Sequence, residues 1–358
     1  MSNVKFSNEN AVFFASLRKR VDDYFKQNDI KKTGNFRLYS KTIILLTSLA
    51  VLYTILVFYT PSSVLFSLFL CCLVGLNFSA IGFNVMHDGS HESYSSKKWI
   101  NRSSGFALNL MGGNAFLWKQ KHNINHHTYT NIEGMDDDID VKPFIRIHMD
   151  QEKRWYHRFQ HYYCLALYGI TYLFWVFYRD FRKYFTGKIA DNTPMQKMDF
   201  GEHFNFWISK ILYVAVFVVI PIYFVGFMPF IIGYTVMAFA TGIILSVVFQ
   251  LAHVVEEVNF VAPKGDEALI ESEWAIHQIN TTANFATRSK TLSWLLGGLN
   301  FQVEHHLFPR ISHVHYPKIS KIVKETCDEF NLAYREFPTM LQAFRSHLIH
   351  LKNVGVAA

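Results

Sequence analysis

Two long stretches of the chain, Thr42 to Met86 and Ile211 to Ala252, contain no Asp, Glu, Lys or Arg. One bilayer crossing takes about 20 predominantly apolar residues, so each stretch is long enough for two. An ordinary soluble enzyme is excluded. Cysteine is scarce as well: the 358 residues include only 4, with no CxxC pair, and Cys71 and Cys72 lie inside the first charge-free stretch. Their placement excludes a disulfide framework and suits a reducing cytoplasm. The N-terminus is polar and basic without a signal-peptide pattern, so targeting is expected to fall to the first apolar stretch. No internal repeat or low-complexity segment is present.

What is abundant is apolar surface: half the residues are hydrophobic and 34 are phenylalanine. Each charge-free stretch has a turn near its middle, "TPSS" at Thr60–Ser63 and "VGFMP" at Val225–Pro229. The pattern predicts an all-α integral membrane protein with two helical hairpins, spans at about 42–60, 63–86, 205–225 and 229–252, and a cytoplasmic helical cap. Net charge is +7, and the mid-hairpin turns carry none of it, while Arg18, Lys19, Arg20, Lys31, Lys32, Arg37 and Lys41 precede the first hairpin. The positive-inside rule puts the termini and the central segment in the cytoplasm. Basic charge that flanks membrane spans points to lipid and not to nucleic acid. Residues 1–41 read as an amphipathic arm lying on the membrane or on the protein's own cytoplasmic part, 42–325 as the main domain and 326–358 as a cytoplasmic tail. A further apolar stretch, 162–178, has Arg154 and Arg158 before it and Arg179, Arg182 and Lys183 after it. With neither end asking for the outside, it is expected to be interfacial or shallowly re-entrant.

Seventeen histidines are present, and several recur at helical spacing. "HDGSH" sets His87 and His91 four apart at the exit of the second span. "HNINHH" sets His122 and His126 four apart with His127 adjacent, and "QVEHH" adds His305 and His306. On a helix, residues four apart share a face, so two imidazoles can converge on one metal. Adjacent histidines point about 100° apart and can serve two. His253, in "FQLAHVVEE", ends the fourth span as His87 ends the second, so both emerge on one face. Imidazole suits iron, copper, nickel and zinc alike, but eight ligands exceed the need of one ion and fit two. A haem-carrying bundle would place its histidines within the spans, and a metal transporter would want polar groups in mid-membrane. A non-catalytic membrane metal or haem protein is therefore the alternative from another class.

Together, "HDGSH", "HNINHHTYTN" and "FQVEHHLFP" resemble the three histidine boxes of membrane fatty acid desaturases, in order and spacing, over about residues 45–325. A third box that begins with Gln302 resembles the front-end branch, of linoleoyl-CoA Δ6 type, which desaturates between an existing double bond and the carboxyl end. The resemblance implies two iron ions, with O2 as co-substrate. It implies ligands at His87, His91, His122, His126, His127, His253, His305 and His306, with Gln302 binding weakly or through water. Where Δ9 relatives have an asparagine one turn before the histidine at 253, this chain has Phe249. The family's fused cytochrome b5 motif, HPGG, is absent, so electrons are expected from a separate cytochrome b5 or ferredoxin. The substrate is expected to be an acyl chain on CoA or a membrane lipid. Zinc in a purified sample would not speak against iron, because zinc binds such sites more tightly.

The chemistry agrees, since oxidising an unactivated methylene is beyond any side chain and needs a metal. A lipid hydroxylase on the same scaffold is the alternative within enzymes. Ligating histidines need their second nitrogen held, and Asp88, Glu257, Glu256, Glu304, Asp136, Asp137, Asp138 and Asp140 are the candidates, Asp88 and Glu257 first. His277, and Trp118 just before box two, are expected to contact the site or the substrate.

Overall fold

Among the described residues, four helices are long and apolar enough to cross a membrane: α2 (Phe36–Phe58), α3 (Val64–Ser90), α6 (Phe200–Val225) and α7 (Phe227–His253). In this computed structural model, residues 4–7, 11–190, 193–261, 269–270 and 272–357 are described; residues 1–3 and 8–10 of the expected arm lie outside them. Helix starts are set by polar caps. Asn35 accepts from Arg37 N at 3.0 Å, Ser63 from Phe66 N at 3.4 Å and Asp199 from Glu202 N at 2.8 Å. Between α6 and α7 the chain turns on Gly226, whose φ of 85° favours glycine. Ile43, Leu65, Tyr223 and Phe227 stay exposed along these helices. Backbone groups bonded within the helix suit such a surface to lipid.

The spans pack as α2 on α3 and α3 on α7. Helix α5 (160–186) contains the whole 162–178 stretch and packs along α7 without being one of the four. The two helices meet closely: a Cβ on Gly242 would lie 2.5 Å from Gly169 O and 2.6 Å from Tyr168 O. Small residues permit this approach. Gly242→Val is expected to destabilise the fold by about 1–3 kcal/mol through overpacking, seen as a lower melting temperature of the detergent-purified protein.

Shorter helices accompany the four long ones. They include α1 (Val12–Gln27), the 115–129 segment (α4), α8 (Trp274–Thr281), α9 (Gln302–Leu307), α10 (Tyr316–Glu329) and α11 (Met340–Val356). Of the two surfaces expected for the amphipathic arm, α1 uses the protein's own. It buries Phe13, Leu17, Val21 and Phe25 and runs antiparallel to α10, with Phe13 on Phe330 and Phe25 on His315. The boundary expected at 325/326 falls inside α10. The tail beyond it continues as α11, which packs on α5 and α7 and is joined to α5 by a Tyr168–His347 hydrogen bond of 2.9 Å.

Candidate metal centre

Two π-turns set the histidines. α3 widens at Gly82–Met86, directly before His87, and α4 widens at Gln120–His126, across box two. A π-turn shifts the backbone hydrogen bond from i→i+4 to i→i+5 and widens the helix, a feature frequent at functional sites. His122 and His127, five apart, therefore bring their Nε2 atoms to 3.3 Å, and His87 Nε2 also lies 3.3 Å from His122 Nε2. His122 and His126, four apart, still meet, with ring centroids 5.2 Å apart, and the π-turn adds His127 to the same face.

Among the described residues, three buried all-histidine groups result, each with ligand atoms within 4.8 Å of one another: His87, His91, His122 and His305; His126, His253 and His306; His127, His305 and His306. Nε2 of His91, His126, His253, His305 and His306, and Nδ1 of His127, are buried with no hydrogen-bond partner. An unpaired buried polar atom is costly, and a cation among these lone pairs would satisfy them, so the donor set fits two metal ions. Burial holds His91, His122, His127, His305 and His306 well below the usual imidazole range, hence neutral and ready to ligate. Burial would lower His126 too, but the carboxylate of Asp136 outweighs it and raises that histidine.

The opposite ring nitrogens are held from behind. His126 Nδ1 donates to Asp136 Oδ2 at 3.0 Å, His306 Nδ1 to Gln278 Oε1 at 2.8 Å and His253 Nδ1 to the Thr281 carbonyl at 3.1 Å. His305 Nδ1 meets the Tyr316 hydroxyl at 3.1 Å. The bonds from His126, His253 and His306 fix the tautomer that presents Nε2 to the cluster, and the Tyr316 hydroxyl orients the His305 ring. Asp136→Asn is expected to lower metal retention or turnover about 10–100-fold, read as iron per chain after purification.

Gln302 is buried at the start of α9, with its amide Nε2 unpartnered. The Trp118 ring stacks on His122 at 4.3 Å and meets His87 at 5.8 Å and His91 at 6.0 Å, edge-on. Phe249 presents an edge to His122 at 5.9 Å. His277 stands one layer out: its Nε2 donates to the Thr130 carbonyl at 2.8 Å, and the Thr130 hydroxyl donates to Gln278 Oε1 at 2.9 Å.

The acids behave differently from expectation. Asp88 turns to the Ser312 hydroxyl at 2.6 Å and to His313 Nδ1 at 3.0 Å, not to a cluster histidine. Glu257 is exposed, so it supports no ligand; its charge faces Arg335. Glu256 pairs with Ser346, and Asp140 lies 3.6 Å from Lys142. Glu304 points away, accepting from Asn284 at 2.8 Å and Tyr334 at 2.9 Å, and burial pushes it up to about 7. Asp137 neutralises Arg179 at 2.5 Å and Lys183 at 2.7 Å, and Asp138 meets Lys121 at 2.5 Å while its other oxygen lies 3.5 Å from His126 Nδ1. Gln278 and Tyr316 were not foreseen. Gln278 stands beside the singled-out His277, whereas nothing local marks Tyr316.

The model of the fatty acid desaturase family matches residues 62–338. A protein of Arthrospira platensis named sn-1 linoleoyl-lipid 6-desaturase is 37% identical over 96% of this chain and 93% of its own length. Its namesake in Synechocystis is 36% identical over 99% and 98%. An acyl-lipid (8-3)-desaturase of Physcomitrium patens is 38% identical over 97% of this chain and 72% of its own.

Proposed function

This chain belongs to the fatty acid desaturase family, and we propose that it is a front-end acyl-lipid desaturase placing a cis double bond at Δ6 of a lipid-linked linoleoyl chain. As an oxidoreductase it removes one hydrogen from each of two adjacent methylenes. The lipid carrier follows the names of the two relatives that match over nearly their whole length, and replaces CoA as the preferred expectation.

One observation carries the metal assignment: buried imidazoles whose unpartnered nitrogens converge in groups, with His126, His253, His305 and His306 braced from behind. His87, His91, His122 and His305 would hold one iron, and His126, His253 and His306 the other. His127 lies between, with Gln302 beside box three. Iron bound there would supply the one chemistry that side chains lack, oxidation of an unactivated methylene by O2. Asp136, Gln278, Tyr316 and the Thr281 carbonyl orient the ligands, while Trp118 and Phe249 exclude water from one side. Paired α2/α3 and α6/α7 hairpins beneath a cytoplasmic cap complete the reading, with termini and site on the cytoplasmic side and cytochrome b5 or ferredoxin as donor. Residues 42–325, extended by α10 and α11, form the catalytic unit.

The test is a labelled-linoleate pulse in a host expressing the chain. The new double bond is expected first in glycerolipid. First appearance in acyl-CoA would overturn the lipid carrier, and a hydroxylated product would move the enzyme to the hydroxylase alternative.

A further inference from the structure

We propose that Lys41 and His313 are positioning residues which, with Asp88, form a buried, charge-balanced tie that fixes His87 within its ligand group. The proposal rests on the desaturase reading and goes beyond the ligands themselves.

The three residues come from the start of α2, from box one and from the segment after box three, yet they meet with exposures of only 5% for Lys41, 1% for Asp88 and 4% for His313. Lys41 Nζ lies 3.2 Å from His313 Nε2 and donates to Asn84 Oδ1 at 2.6 Å and to the Trp294 carbonyl at 3.0 Å. On its other side His313 Nδ1 lies 3.0 Å from Asp88 Oδ2, which also accepts from the Ser312 hydroxyl at 2.6 Å. An ammonium can only donate. Nε2 of His313 therefore accepts, which leaves Nδ1 facing Asp88 Oδ2 at 3.0 Å. The His313 ring thus stands between a buried lysine and a buried aspartate.

The tie grips both sides of His87. Asp88 follows it directly, and Asn84 precedes it within the π-turn Gly82–Met86. Asn84 Nδ2 also donates to the Leu295 carbonyl at 2.9 Å. The same loop seats against the turn through Gly297, at φ 57°, where a Cβ would lie 2.4 Å from Phe83 O. The ring so held meets His305 of box three at 4.4 Å between centroids. Two buried charges are a poor way merely to hold helices together, because well-packed apolar residues usually do as well or better. What hydrogen-bonded charges add is direction: each partner accepts one geometry, so the backbone on either side of His87 has one seat. His313 had no matching spacing in the sequence and would have been set aside as an ordinary surface or packing histidine.

The test compares purified wild type with Lys41→Met and Lys41→Met/Asp88→Asn for melting temperature, iron per chain, kcat and KM. Lys41→Met leaves Asp88 without a balancing charge. It is expected to lower iron per folded chain and to reduce kcat at least tenfold, with KM within twofold of wild type. The double variant removes both charges and is expected to recover iron and most of the lost kcat, a non-additive result that marks direct coupling. A lower melting temperature with wild-type iron and kcat would reduce the tie to a fold staple and overturn the proposal, as would simple addition of the two effects. If Lys41→Met does not accumulate, the double variant decides: recovery of folded, iron-retaining protein supports the tie, and failure overturns it. Wild type that makes no double bond would instead sink the desaturase reading, while iron content and melting still report on the tie.

Discussion

His305→Ala is expected to abolish the new double bond while the chain still reaches the membrane. His305 belongs to two of the three histidine groups, joining His87, His91 and His122 in one and His127 and His306 in the other. On the proposed assignment, its loss would remove a ligand from one metal and disturb its neighbour. Tyr316 loses its partner at the same time. Losing a supporting residue of this kind already costs about 10–100-fold, so losing the ligand is expected to exceed that range and leave no detectable product. The spans do not depend on the imidazole. Membrane yield within twofold of wild type, iron below two per chain and no product is the expected set. Full activity with two irons would remove His305 from the ligand set.

The second large effect is on stability. Lys210 lies inside the third span and is buried, and its ammonium lies 2.8 Å from Asp180 of α5. It also donates to the carbonyls of Gly112 at 2.5 Å and Val176 at 3.0 Å, joining α6, α5 and the loop before α4. Lys210→Met leaves the Asp180 carboxylate buried with only Trp175 Nε1 at 3.0 Å as a remaining side-chain donor. Breaking a buried pair in this way costs about 3–5 kcal/mol, a large share of the roughly 5–15 kcal/mol that holds a typical domain. Little monodisperse protein is expected after detergent extraction. Replacing both residues, Lys210→Met/Asp180→Leu, is expected to restore much of the yield because no lone charge is left. A single variant that melts with wild type would mean that water or another group satisfies Asp180.

The same physics explains where the sequence was legible and where it was not. Absence of charge located the apolar cores of the spans, but the helices run further: α2 begins at Phe36 and α3 continues to Ser90. Lys41 and Asp88 looked like span boundaries because a lone charge does not enter an apolar bundle. They enter this one as a balanced set through His313, a pairing between residues 272 apart in the chain that no local pattern encodes. Lys210 is the same case. The histidines were legible because spacing repeats and box order are local features, and His253 was reached from the direction of its span. Their braces were less so. Asp136 was one of several acids in "DDDID", Gln278 lies 28 residues before His306, Tyr316 follows His305 by 11 without a helical repeat to mark it, and Glu257 looked like a brace but faces solvent. Nor does any composition signal mark the π-turns that bring His122 and His127 together.

The most direct measurement is the double-bond position in fatty-acid methyl esters from linoleate-fed yeast expressing wild type or His126→Ala. A new bond on the carboxyl side of the existing ones, made by wild type and absent from the variant, is the predicted result. A bond on the methyl side, a hydroxylated product, or a bond that survives His126→Ala would contradict a front-end desaturase built on these histidines.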